Sequence, residues 1–206
     1  MRRILAVTCL AFVAASCGGG ELSMAEYTEQ VGVVVARASQ QYGDLVASPH
    51  GAVLIAEPEQ IESFAPRDLQ TALEQVREIE AEVEESVAAI DPPDQVAEIH
   101  DLFFDFDDGF IFAQEALAAR AGTAADWDDL SDSSEMAAYR VALAQDKQKC
   151  FDFRAQLNAI SEQRGDLAET PWIPGDLKEV FRVFLGCEGY PEHPNDVYRA
   201  APTPTP

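Results

Sequence analysis

Apolar residues recur every three or four positions along much of this chain, and that spacing predicts a series of amphipathic helices. The first predicted helix covers Leu22 to Val46, and the spacing of Ser23 and Glu26 at its start is that of a capping box. The second covers about Phe64 to Ile90, and its apolar stripe consists of Leu69, Leu73, Val76, Ile79, Val83, Val87 and Ile90. Glu residues crowd its other face and repel one another, so tertiary packing must stabilise this helix.

Between these two helices lies the short apolar run Ala52 to Ala56, which has the length of a strand. No second strand-like run is available to pair with it. We therefore expect an irregular connection that packs over the end of the helices.

The third predicted helix begins at Asp91-Pro92-Pro93, with Asp91 as its cap and Pro92 in its first turn, and it ends near Arg120. Its stripe keeps an unbroken three-four spacing through Val96, Ile99, Phe103, Phe106, Phe110, Ala113 and Leu117. The stripe is widened by Leu102, Phe104, Ile111 and Phe112. We expect this helix to be the most buried one.

A short turn at Asp126 to Leu130 precedes the fourth predicted helix, which Ser133 or Ser134 caps. The stripe of this helix consists of Met136, Tyr139, Leu143, Asp146, Cys150, Phe153, Leu157 and Ile160. Asp146 is its only charged member. Either Asp146 lies near an edge and pairs with a neighbouring Arg or Lys, or it is a buried carboxylate positioned for function. Buried acids are rare unless they are paired, which favours the first interpretation.

A turn rich in Gly and Pro leads to a short fifth helix from Asp176 to Gly186, and residues 188–206 form an irregular Pro-rich tail. The whole pattern predicts an all-α fold, an antiparallel helix bundle of four long helices plus one short C-terminal helix. This domain would occupy residues 22–187.

The charge of the chain excludes one class of partner. Its 206 residues include 14 Lys and Arg against 37 Asp and Glu, a formal net charge of −23. So acidic a surface repels phosphate backbones and anionic lipid headgroups, which argues against nucleic-acid binding and against membrane attachment through basic residues. The acidity either keeps a helical protein soluble or attracts a cationic partner, and we favour solubility.

The N-terminus has the organisation of a secretory signal. Two Arg residues precede an almost unbroken apolar run from Ile4 to Ala15, which is too short to span a bilayer as a permanent helix. Small residues then lead to Cys17, and the whole stretch resembles the signal of bacterial lipoproteins. The resemblance implies removal of residues 1–16, diacylglycerol on the Cys17 sulfur, and a Gly tether within residues 17–21. Loss of the two Arg residues would change the charge from −23 to −25.

The mature domain carries one further, short resemblance. Pro92-Pro93 followed by His100 at the start of an amphipathic helix is similar to a pattern in uncharacterised helical bacterial lipoproteins. The similarity covers only Pro92 to Phe103 and implies no activity.

Two cysteines remain once the signal and the lipid anchor are set aside, namely Cys150 and Cys187. Two thiols in an oxidising space favour one disulfide. At about 1.5 Å per residue, the predicted helical arms from 164 back to 150 and from 176 to 187 are about 21 and 17 Å long. In an antiparallel hairpin the two sulfurs therefore come to nearly the same height.

Candidate chemistry is sparse. The histidines, His50, His100 and His193, have no metal-ligand spacing with one another or with Cys, and no nucleophile or phosphate-binding motif occurs. His100 is the best candidate because it shares a helical edge with Asp107. That pair could form a proton-sensitive or metal-binding site, although a locally hydrogen-bonded His is the commoner arrangement. We predict no catalytic residue, no resident metal and no cofactor.

These observations favour a non-enzymatic binding or structural module of the bacterial cell envelope, lipid-anchored at the extracytoplasmic face and in contact with an envelope protein, peptide or small ligand. The alternative is an envelope metal- or small-ligand-binding protein that uses His100 with Asp107 or Asp146, and His50. It requires those side chains to converge on a cavity. An enzyme ranks third, because it needs a pocket with a carboxylate of shifted pKa that spacing does not locate.

Overall fold

The structure is a computed structural model that describes residues 22–94, 96–97, 100–101, 108–163, 187 and 190–199. These residues are helical or irregular, and no strand occurs among them. The all-α prediction is therefore confirmed. Several predictions lie outside the described residues: the signal peptide, Cys17 and its Gly tether, Asp107, and the short helix from Asp176 to Gly186.

Helix α1 spans Met24–Val46 and begins with the predicted capping box. The backbone N–H of Ser23 donates to Glu26 Oε2 at 2.9 Å, and Ser23 Oγ accepts from the backbone N–H of Glu26 at 3.3 Å. These two bonds satisfy donors that the first turn of a helix otherwise leaves unpaired. The buried face of α1 consists of Tyr27, Val31, Val35, Ala38 and Leu45.

The apolar run after α1 forms the 3-10 helix Gly51–Ile55. It connects α1 to α2, as expected, and buries Val53 completely. A Cβ atom at Gly51 would collide with the backbone carbonyl of Leu45, so this close approach requires glycine. A second 3-10 helix, Ile61–Ser63, follows.

Helix α2 spans Pro66–Ala88 and buries Leu69, Ala72, Leu73, Ile79, Val83 and Val87. It begins two residues after the predicted start at Phe64, because proline disfavours helical geometry in the residue before it. Pro66 itself fits the first turn, where its missing N–H costs nothing. The Asp68 carboxylate accepts from the backbone N–H of Ala65 at 2.8 Å and caps the helix.

The start of the third predicted helix differs from the expectation. Residues 91–93 are not helical, and Ala97 is the first helical residue among those that the structure describes here. Pro93 disfavours helical geometry at Pro92, which explains why Pro92 does not begin the helix. The described continuous helix here is α3, Asp108–Ala121. Its Phe112 is 68% exposed, so the prediction that Phe112 widens the apolar stripe was wrong.

The predicted turn at Asp126 is the short helix α4, Trp127–Ser131, capped by the Asp126 side chain. Helix α5 spans Ser134–Gln163. Ser133 caps it, since Ser133 Oγ accepts from the backbone N–H of Met136 at 3.1 Å. The predicted disulfide between Cys150 and Cys187 is confirmed, with the two Cα atoms 5.8 Å apart.

The helices contact one another in the order α1, α2, α3 and α5, and the largest apolar cluster lies among the last three. Its buried members include Leu69, Leu73, Leu117, Leu130 and Met136. Tyr190 and Tyr198 from the C-terminal segment, residues 190–199, pack against this cluster. The segment contains the 3-10 helix Pro194–Asp196 and contacts α5, so this part of the predicted irregular tail belongs to the packed domain.

Candidate functional site

His100 lies in the protein interior and is bonded to helix α1. It is 7% exposed, and its Nδ1 is 2.9 Å from the hydroxyl oxygen of Tyr27, a side chain that is completely buried. Burial lowers the pKa of His100, and the nearby Asp101 opposes this shift only in part. Burial therefore favours the neutral imidazole. The bond between His100 and the buried Tyr27 joins two elements of the fold.

Asp146 has a different hydrogen-bond partner. Its carboxylate accepts from the hydroxyl of Tyr190, which belongs to the C-terminal segment. The Asp146 residue is partly exposed on α5. This partner is a Tyr from a segment expected to be irregular, and neither sequence interpretation included such a contact. It fixes the C-terminal segment on α5.

Sequence reasoning missed a second interior carboxylate, Glu80 on α2. Its side chain is only 16% exposed, and its Oε2 atom has no hydrogen-bond partner in the described part of the chain. Burial raises the pKa of Glu80 to about 7, with smaller contributions from Glu84 and Asp146. Arg77 NH1 lies 3.6 Å away, which is too long for a hydrogen bond but close enough to offset part of the shift.

A signal for Glu80 exists in the sequence. Together with Leu73, Val76, Val83 and Val87 it continues a three-four spacing, so Glu80 is a charged member of an apolar stripe. Asp146 interrupts the stripe of the fourth predicted helix in the same way. On the second helix the signal is weaker, because Ile79, next to Glu80, also fits the stripe.

Glu80 and Asp146 act on the same interior tyrosines. Each carboxylate raises the pKa of Tyr139 and of Tyr190, after the larger effect of burial. The arrangement brings carboxylates of α2 and α5 near two phenol groups. Chemically it can take up one proton near neutral pH.

The predicted ligand-binding residues that the structure describes bond to different side chains. His100 is bonded to Tyr27, Asp146 to Tyr190, and Asp107 lies outside the described residues. His50, on the surface, is 2.6 Å from an Asp68 oxygen, and this bond lowers the pKa of Asp68. Over the residues that the structure describes, no group of three or more His, Cys, Asp or Glu side chains could hold a metal ion.

One open cleft of about 430 Å³ lies between α1 and α2. Its carboxylates belong to Asp44, Glu78 and Glu82. Glu82 is already engaged there, because it accepts from Arg37 at 2.9 Å and from Gln41 at 2.6 Å. The cleft is thus a polar surface groove, and the Glu82 carboxylate that lines it already joins the two helices.

No helix in the described part of the chain is long and apolar enough to cross a membrane. The chain matches no known protein family, no curated protein and no solved structure.

Proposed function

We propose that this protein is a lipid-anchored module on the extracytoplasmic face of a bacterial membrane, which binds an envelope protein or a small ligand without catalysing a reaction. Diacylglycerol on Cys17 would hold it at the membrane after residues 1–16 are removed. Its helices would form the antiparallel bundle expected from the sequence, in the order in which they contact one another.

The Cys150–Cys187 disulfide carries this proposal. Structural disulfides persist in oxidising compartments and are rare where thiols are kept reduced. The N-terminal signal would deliver the chain to such a compartment. Two independent features, one at each end of the sequence, therefore support the same location.

The interior supports binding or scaffolding more than catalysis. His100 is buried and bonded to Tyr27, and Asp146 is bonded to Tyr190. These contacts fix elements of the fold to one another. Because Nδ1 is bonded to Tyr27, a metal ion at His100 would bind through Nε2.

Replacement of Cys17 tests the anchor. We expect Cys17→Ala to abolish labelling by an alkyne fatty acid and to prevent cleavage of the signal. The matched control is Cys9→Ala, which removes the other cysteine of the N-terminal stretch and should leave both unchanged. Membrane retention and fatty-acid labelling of Cys17→Ala at the wild-type level would contradict the proposal.

The compartment is tested separately by thiol alkylation of protein quenched directly in cells. Alkylation before reduction should leave Cys150 and Cys187 unmodified, and alkylation after reduction should modify both. Free thiols at both positions before reduction would place the protein in a reducing compartment and contradict the proposal.

A further inference from the structure

Arg140 on α5 is a buried cation whose partners are all neutral. It is 5% exposed, and its Nε donates to the carbonyl of Val197 at 2.8 Å. Its terminal nitrogens donate to the carbonyl and the hydroxyl of Ser131 at 3.2 and 3.1 Å. A buried guanidinium is ordinarily paired with a carboxylate, because an unpaired charge is costly outside water. No carboxylate of the described residues lies within ion-pair distance of Arg140.

Burial and a neighbouring cation outweigh the nearby negative charges in the surroundings of Arg140. Burial lowers the pKa of Arg140, and the neighbouring Arg199 lowers it further. Asp196 and Asp132 act in the opposite direction but do not outweigh these two effects. An anionic group of a ligand, placed against the guanidinium, would supply the ion-pair partner that the described residues do not provide.

Arg140 opens onto a cleft of about 330 Å³, which is large enough for a small molecule. The cleft is lined by Trp127, Asp128, Ser131, Asp132, Arg140 and Arg199. The three bonds described above use three of the five N–H donors of a guanidinium, which leaves two further donors. A hydrogen bond from a guanidinium to a carboxylate oxygen is stronger than one between neutral groups.

The backbone beside the cleft is strained. Tyr198 has a φ of 54°, in the left-handed region that side chains other than glycine disfavour. Its ring packs near Trp127 and stacks on Tyr139, with centroid distances of 6.3 Å in both cases. This packing holds Val197 and Arg199, the two neighbours of Tyr198, beside Arg140. Strain of this kind is concentrated at functional sites.

The rim of the cleft carries the opposite charge. Asp128 and Asp132 are exposed at α4 and line the cleft with Arg140. Neither carboxylate forms an ion pair within the residues that the structure describes. Two acids beside the arginines disfavour a multiply charged anion such as phosphate. The formal net charge of −23 also repels any net anion, whereas a zwitterion meets no net repulsion.

We propose that this cleft binds a small zwitterion of the amino-acid class, with its carboxylate on Arg140 and its ammonium group on Asp128 or Asp132. Trp127 provides an apolar wall for the rest of the ligand. This assignment goes beyond the proposed function, because it does not depend on how or where the protein is anchored.

The fluorescence of Trp127 tests the assignment directly. The chain has 2 Trp residues, so the full-length protein with Trp172→Phe, purified in detergent, reports from Trp127 alone. Each common L-amino acid is titrated singly, up to about 10 mM, a range that covers weak binding of small ligands. We expect at least one to change the fluorescence saturably. Acetate and methylammonium, which carry only one of the two charges, should bind at least ~10-fold more weakly.

Two variants locate the binding. Arg140→Gln should weaken it by roughly 10- to 100-fold, through loss of a charge-assisted pair. Arg140→Gln also removes the contact with Val197. The double variant Asp128→Asn with Asp132→Asn is the cleaner test, because the side chains of Asp128 and Asp132 are exposed. It should weaken amino-acid binding by about 10-fold and leave acetate binding no weaker. The control Arg37→Gln, far along α1, should change neither.

Three results would overturn the proposal. The first is the absence of any saturable response to the amino acids. The second is equal affinity for acetate and for the best amino acid, or unchanged binding in the double Asp variant. The third is tighter binding of inorganic phosphate than of every amino acid, which would identify a simple anion site.

Discussion

Two arginines of this protein have opposite surroundings. Arg77 on α2 lies 2.8 Å from a Glu84 oxygen, 3.6 Å from Glu80 and 3.8 Å from Glu115. Arg140 on α5 is more deeply buried and contacts only neutral oxygen atoms. The fold therefore supplies three carboxylates to the more exposed cation and none to the more buried one.

This difference distinguishes Arg77, whose charge stabilises the fold, from Arg140, whose charge is available to bind a ligand. The bond to Glu84 is the main reason that the pKa of Arg77 is raised, whereas burial lowers the pKa of Arg140. Arg77 neutralises acids that α2 and α3 bring together. Arg140 bonds to the C-terminal segment and lines the cleft.

Loss of the disulfide should lower the free energy of unfolding more than the other substitutions below. Its Cys150 lies on α5, the helix that carries Arg140. Cys150 and Cys187 are separated by 37 residues, for which the chain-entropy model predicts about 4 kcal/mol of stabilisation. We expect Cys150→Ser with Cys187→Ser to lower the free energy of unfolding by about this amount, measured by urea denaturation. It should also release the segment that carries Val197 and weaken ligand binding at Arg140. A loss below about 1 kcal/mol would show that packing alone holds this segment.

The next largest effect on stability should come from the ionisation of Glu80, which lies 3.6 Å from Arg77. Because its pKa is raised to about 7 in the folded protein, the folded state keeps a proton that the unfolded state releases near pH 4.5. Stability from this group is therefore full below about pH 4.5 and is lost as the pH rises to about 7.

Between pH 5 and pH 8, we expect the wild type to lose up to about 3 kcal/mol relative to Glu80→Gln, which cannot titrate. Urea denaturation of both proteins at several pH values measures this difference. The two curves of stability against pH should diverge above pH 5. Parallel curves would mean that Arg77 compensates Glu80 fully.

A smaller effect is expected when Arg77 itself is replaced. Arg77→Met leaves Glu80 and Glu84 without their cation, at a cost of about 2 kcal/mol at pH 8, a figure reduced for the partial exposure of the pair. The matched control is Arg37→Met, because Arg37 pairs with Glu82 at 2.9 Å on the surface, with a side chain that is 57% exposed. That control should cost less than about 1 kcal/mol. Equal costs for the two variants would contradict the structural role of Arg77.

The helices could be predicted from the sequence because their signals are local. The capping box at Ser23 is where its spacing indicates, and Ser133 is one of the two caps that the sequence offers for the fourth predicted helix. Both errors at helix starts, at Phe64 and at Pro92, come from one local rule, the effect of a following proline. The contact that closes the disulfide followed from helix length.

The interior charges could be predicted only in part. Asp146 and Glu80 each interrupt an apolar stripe, which is a readable sign of a partly buried acid. Arg140 gives no such sign, since it lies next to Tyr139 outside the predicted stripe. Its contact with Val197 joins residues 57 positions apart, in a segment whose Pro-rich composition predicted no packing. Long-range contacts of this kind have no signature in spacing.

The intact mass of the protein purified from its own membrane distinguishes a processed, lipid-anchored chain from an unprocessed one. We expect a chain that begins at Cys17, carries diacylglycerol, and is lighter by two hydrogen atoms for the disulfide between Cys150 and Cys187. Reduction should restore those two hydrogens without removing the lipid. An unlipidated chain that still contains residues 1–16, with both cysteines reduced, would contradict a lipid-anchored extracytoplasmic module.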